Sequence, residues 1–327
     1  MSGFLRSVVV LLGMLAMQWV FADGQVLDWL QRMREAERQV SYAGRLSWMD
    51  GEDLAVARIV HVFGADGVHE VVEPQRGDWV QLRRDGDRLS TFRQSGGDAV
   101  AGADAPFAYP FVQSLIRGVP SMDIYDVSLA SAERVADRPA VCIAFAPRDD
   151  HRYARRIWLD AATALPLRGE TTAANGRHLD VFELSELRLG DQVKLPESPP
   201  AEARVSATAP GGTEAPGGQD GQLDWEATWI PPGFRLTLRG ADQPGAPVVR
   251  PDVAMYDDGL ASFSIYVEPA VQGVETGMES RRGATVVVDQ LVEAGEGKQG
   301  IVTVVGEIPP LTARRILNGM RLRSGNR

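Results

Sequence analysis

Residues 42–72 read YAGRLSWMDGEDLAVARIVHVFGADGVHEVV. Three runs rich in β-branched, aromatic and aliphatic residues stand out: Tyr42 to Met49, Leu54 to Phe63 and Val68 to Val72. Asp50-Gly51 and Asp66-Gly67 separate them. Asp-Gly pairs supply the positive φ that a tight hairpin turn demands. The spacing therefore predicts three antiparallel strands in succession. Asp78 to Arg84 and Arg88 to Arg93, on either side of Asp85-Gly86, extend the series to five. Five or so further strands follow through Leu189, and Asn175-Gly176 marks a hairpin between Leu167 to Thr171 and His178 to Leu187.

A long run of antiparallel strands must curl or be covered to bury its apolar face. Helical patterns lie beside this one. Val26, Trp29, Leu30, Met33, Ala36, Glu37 and Val40 recur at three- and four-residue spacing, and all but Glu37 are apolar. Phe107 to Arg117 reads as a short helix after a polar insertion, Gln94 to Pro106. The expected fold is α+β, with a large curved antiparallel sheet wrapped on helices and an apolar hollow on its concave side. Cys142, the single cysteine, sits in the apolar run Ala140 to Phe145 and is expected in the core.

Pro, Gly and Ala make up 15 of the 26 residues from Pro196 to Gly221, with no apolar periodicity. Such a segment is an extended linker. It divides a larger domain, 23–195, from a smaller one, 222–327. The smaller domain reads as strands at Arg235 to Arg239, Val248 to Tyr256, Ser262 to Glu268, Thr285 to Asp289 and Gly300 to Gly306. A helix starts at Pro309-Pro310 and places Ala313, Ile316, Leu317 and Met320 on its apolar side.

At the start, Arg6 precedes an apolar run from Val8 to Val20, and small or branched residues close it at Val20-Phe21-Ala22. This pattern predicts a cleavable secretory signal over 1–22 and a periplasmic location. The run is shorter than the roughly 20 apolar residues of a membrane span. The chain carries 34 basic and 44 acidic residues, a formal net charge of −10. Nucleic-acid binding needs a basic footprint, so nucleic acid is not an expected partner.

Catalytic patterns are missing from the sequence. It contains no G-x-S-x-G elbow, no H-E-x-x-H pair and no phosphate-binding glycine loop ending in Lys-Ser or Lys-Thr. His61 and His69 fall on neighbouring strands around the Asp66-Gly67 turn, but two ligands do not make a metal site. Asp149-Asp150-His151 reads as an acidic turn before a strand. The expectation is a binding protein rather than an enzyme, with no catalytic residue, cofactor or metal.

Four ordered stretches carry a resemblance. They are Asp149 to Asp160 with Thr163 to Leu167, Trp229 to Phe234, Tyr256 to Glu268, and Val302 to Ala313. Together with the Trp29-Leu30-x-x-Met33 helix and Ser41-Tyr42-x-Gly44, they make the chain resemble the MucB/RseB family on both sides of the linker. The resemblance implies a lipoprotein-carrier-like large domain, an unclosed β-barrel capped by helices. It also implies a partner, the periplasmic part of a membrane anti-sigma factor of the RseA or MucA type, shielded from regulated proteolysis until lipopolysaccharide or a lipid-like molecule releases it. A periplasmic lipid or lipoprotein carrier is the alternative, although simple carriers lack the trailing domain. Self-association stays open.

Two groups of site residues follow as expectations. Arg152, Arg155 and Arg156 are candidates for the rim of a cavity that takes an anionic ligand. If all three lay in one strand, Arg152 and Arg156 would face one side and Arg155 the other. Tyr256, Phe263 and Tyr266 are candidates for an aromatic partner surface. The same stretch reads equally as a core strand pair about an Asp258-Gly259 turn.

Overall fold

The computed structural model describes residues 24–77, 80–86, 88–93, 112, 115–116, 118, 120–130, 132–198, 204–205, 223–240, 252–270, 276–295 and 298–324. The signal expected over 1–22, the insertion at Gln94 to Pro106 and most of the linker lie outside the described residues.

Helix α1 spans residues 24–39. Its buried residues, Val26, Leu30, Met33 and Ala36, form the stripe that the three- and four-residue spacing requires. They pack on a meander of β1 (Tyr42–Asp50), β2 (Asp53–Gly64), β3 (Gly67–Pro74), β4 (Val80–Asp85) and β5 (Arg88–Arg93). The second half is β6 (Tyr125–Leu129), β7 (Glu133–Val135), β8 (Arg138–Pro147), β9 (Ala154–Asp160), β10 (Pro166–Thr172) and β11 (His178–Leu189). β11 returns to pair with β1, so the two halves form one antiparallel sheet in the order β5-β4-β3-β2-β1-β11-β10-β9-β8-β6, with β7 paired to β8. Gly51 and Gly176 hold φ of 69° and 82°, the conformations their hairpins need.

The far edge is extended by β12 (Arg204–Val205), which pairs with β5. β12 lies inside the expected linker, so that segment is not wholly separate from the large domain. No pairing joins β12 to β6 among the described residues, and the barrel stays unclosed. Tyr42, Leu46, Ala57, Ile59, Val72 and Leu82 face α1, Val112 and Leu115 across the interior. Burying side chains the size of Leu46, Ile59, Val72 and Leu82 contributes roughly 1.5–3 kcal/mol each. The chain leaving β11 turns at Gly190, whose N–H donates to the Ser41 carbonyl at 2.9 Å, and lies as a strap on the outer face.

The smaller domain has a six-stranded antiparallel sheet: β14 (Arg235–Gly240), β15 (Asp252–Asp257), β16 (Ser262–Pro269), β19 (Lys298–Gly306), β18 (Thr285–Gly295) and β17 (Glu279–Arg282), in that spatial order. Helix α2 (Pro310–Asn318) covers one face through Ala313, Ile316 and Leu317. Pro310 opens the helix, where a missing N–H costs nothing. Met320 continues that apolar side as the first residue of β20 (Met320–Ser324), which pairs with β13 (Leu223–Ala227). β13, β17 and β20 were not expected from the sequence.

Candidate functional site at the domain seam

The turn before β9 aims Arg152 into the boundary between the two sheets. Its side chain is buried. Nε donates to Asp258 Oδ2 at 2.6 Å, and the other nitrogens donate to Asp149 and to the Pro232 carbonyl. Tyr125 OH donates to the same Asp258 oxygen at 2.9 Å. The second Asp258 oxygen accepts the N–H groups of Leu260 and Ala261 at 2.9 and 2.8 Å, which fixes the carboxylate within its own turn. Phe234 lies under the guanidinium, 4.6 Å from its ring centroid.

The seam continues along β9. Arg155 Nη2 donates to Glu307 Oε2 at 2.6 Å, and Tyr153 OH donates to the Ile308 carbonyl at 3.1 Å. His151 Nδ1 lies 3.2 Å from Thr312 Oγ1, with the ring edge-on to Trp229 at 5.1 Å between centroids. At the far end, Asp180 accepts the Ala284 N–H at 3.1 and 3.2 Å. Arg282 Nε reaches Asp50 Oδ2 at 2.6 Å. Between these bonds sits Gly283, with φ of 55°; a Cβ there would lie 1.9 Å from Asp180 Oδ1 and 2.2 Å from Asp50 Oδ1. Burial pushes the Asp180 carboxyl up to about 7, with Glu307 and Asp50 adding to the rise.

These contacts correct the expected rim. Arg152 and Arg155 are buried ion-pair partners within the seam, because Asp258 and Glu307 from the smaller domain meet them there. Arg152 precedes β9, so strand alternation does not govern its direction. Arg156 is exposed on the opposite face to Arg155.

The expected aromatic surface is also corrected. Phe263 is 2% exposed and packs in the core, stacked on Tyr256 at 5.0 Å and edge-on to Phe234 at 5.0 Å. Tyr256 pairs across β15 and β16 with Phe263 and shares its face. Tyr266, three residues on, takes the other face and is half-buried. The core-pair reading of this stretch is the one the packing realises.

Sequence reasoning did not single out Asp258, Glu307, Asp180 or Tyr125. Asp258 and Glu307 lay inside stretches already quoted, where they read as a turn and a strand end. The four stretches converge on the seam, with His151 to Arg155, Trp229 to Phe234, Asp258, and Glu307 to Thr312 in mutual contact.

Within the large sheet a second polar group is buried beneath α1. His61 stacks on Tyr42 at 4.7 Å, and its Nε2 lies 3.1 Å from the Glu37 carbonyl. Burial lowers His61 to about 4, so the neutral ring donates from Nε2. Glu70 pairs with Arg84, and burial raises Glu37 and Glu70 to about 7. His69 points instead to Asp66 and Asp85, at 3.0 and 2.9 Å. No group of three or more metal-ligating side chains forms among the described residues.

Family models match on both sides of the linker: the MucB/RseB N-terminal domain over residues 25–202 and the MucB/RseB C-terminal domain over 219–321. The sequence is 34% identical over 320 residues to the sigma factor AlgU regulatory protein MucB of Pseudomonas aeruginosa, covering 96% of each chain. It is 28% identical over 198 residues to the sigma-E factor regulatory protein RseB of Escherichia coli K12, covering 60% of this chain and 59% of that one. The crystal structure of MucB in complex with MucA(peri) superposes with a TM-score of 0.67 at 30% identity, over 91% of this chain and 98% of that one. The crystal structure of MucB superposes at 0.60 and 31% identity, with the same coverage.

Proposed function

The chain belongs to the MucB/RseB family, and on that premise we propose that it is a periplasmic regulator that binds the periplasmic segment of a single-span anti-sigma factor. Binding shields that segment from regulated proteolysis and so restrains the envelope stress response. The supporting observation is likeness over the whole length, both domains included, to a relative whose solved complex contains MucA(peri). The signal-like residues 1–22 support the location. Domains at 23–195 and 222–327, joined by 196–221, are the proposed working units.

Lipopolysaccharide or a lipid-like molecule is the proposed releasing ligand. A ligand can free a partner only if it binds the free and bound forms with different affinity. The test is a pull-down of the full chain with the periplasmic segment of the anti-sigma factor, followed by timed cleavage with the protease that makes the first regulated cut in that segment. Slowed cleavage in the complex is expected. Absence of binding would overturn the reading. Lipoprotein transfer between membranes without any effect on cleavage would favour the carrier alternative.

A further inference from the structure

The outer face of the large sheet holds a cavity that neither the seam nor the interior uses. It measures about 870 Å3 and lies between β1, β2 and the strap that leaves β11. Such a volume is in the usual range for a small-molecule site. Ala43 and Val60 form its floor, and Val193 closes it from the strap. Arg58, Arg188 and Lys194 stand around it, with Asp191 the one acidic residue in the lining.

The pleat accounts for this grouping. Arg188 and Val60 are both cross-strand partners of Ala43, so the three side chains share a face. Arg58, two residues before Val60, returns to that face. The carboxylate recorded beside Arg58 is Glu73, at 3.9 Å. Among the described residues, Arg188 and Lys194 make no ion pair. Lys194 is one of two lysines in a chain of net charge −10, so this concave patch runs against the charge of the whole molecule. The strap is anchored at both ends of the cavity. Gly190 N–H donates to the Ser41 carbonyl at 2.9 Å, and Arg83 Nη1 donates to the Pro196 carbonyl at 3.4 Å.

We propose that this cavity binds a small anionic amphiphile, a phosphate monoester head on a short apolar chain. Arg58 and Arg188 offer planar forks to the phosphate oxygens, and Lys194 adds a point charge. The chain lies along Leu189, Val193 and the aliphatic stems of Arg188 and Lys194. The inference rests on the lipid-like ligand of the proposed function and gives that ligand a place on the outer face.

Hexyl phosphate, inorganic phosphate and hexanol are the probes, titrated calorimetrically into the full chain. Hexyl phosphate is expected to bind at least tenfold more tightly than either part alone. Arg188→Ala combined with Lys194→Ala is expected to weaken it tenfold or more. Both side chains are exposed, so circular dichroism should be unchanged. Arg134→Ala with Lys298→Ala removes the same charge from exposed positions elsewhere and should leave affinity intact. No saturable binding, equal affinity in the cavity variant, or equal loss in the control pair would overturn the site. Inorganic phosphate binding as well as hexyl phosphate would reduce it to a free-anion site and overturn the amphiphile. The pull-down without ligand reads the parent proposal separately: its failure, with hexyl phosphate still bound at this cavity, removes the regulator reading and keeps the site.

Discussion

Arg152 brings one guanidinium to three acceptors: Asp258, Asp149 and the Pro232 carbonyl. Removing it leaves Asp258 buried with its main cation gone. Breaking a buried pair from one side costs about 3–5 kcal/mol. Arg152→Ala is therefore expected to uncouple the domains, so that urea unfolding of the full chain resolves into two steps; a single unshifted transition would refute this. Gly283 is as exacting for a different reason. A Cβ there meets two carboxylate oxygens, and φ of 55° alone costs an L-residue about 1–2 kcal/mol. Gly283→Ala should loosen the same contact, measurable as faster amide exchange at Ala284. Cys142 was legible as a core residue from its apolar neighbours, and it is buried with its thiol pushed up to about 11. It should not react with a thiol reagent at pH 8 until denaturant is added; rapid native-state labelling would contradict its burial.

At the scale of elements, legibility followed local pattern. Helix α1 was readable from its three- and four-residue apolar spacing, and β1 to β3 from runs of β-branched, aromatic and aliphatic residues between Asp-Gly turns. β17 was not readable: Glu279, Ser280, Arg281 and Arg282 are all exposed, and only pairing with β18 makes them a strand. β12 is two residues of an Ala- and Pro-rich segment and exists through β5. The stripe on α1 makes a direct prediction. Leu30 is wholly buried against the sheet, and truncation of such a side chain costs about 2–5 kcal/mol. In the Arg152→Ala background, where the two steps separate, Leu30→Ala should lower the urea midpoint of the large domain and leave that of the smaller domain in place.

For the whole molecule, the seam carries a pH dependence. Asp180 is faced by Asp50 on β1, Glu307 from the smaller domain and Arg155 on β9, with Tyr153, Arg177 and Arg282 nearby. Its docked carboxyl titrates near 7, above the ordinary carboxylate range that applies once the domains part. The proton is therefore held more tightly in the docked state. Docking is strongest below the ordinary range and weakens as pH rises toward 7, by up to roughly tenfold per pH unit for one proton. Small-angle scattering between pH 5 and 8 should show expansion on the alkaline side, and Asp180→Asn should flatten the profile. An identical profile in that variant would assign the response to another group.

The amino-acid sequence alone determined the antiparallel strand order within each hairpin, the apolar stripe of α1 and the family. Each of these depends on neighbours a few residues apart, or on ordered motifs that need no folding to be read. Where Arg152, Arg155, Tyr256 and Phe263 point was decided by the tertiary structure. A strand specifies that alternate residues share a face, but not which face meets another domain. Asp258 and Glu307 settle that for the two arginines from more than a hundred residues away, and the packing of β15 on β16 settles it for the aromatics. A buried charge goes where its counter-charge is, and only the folded chain brings the two together.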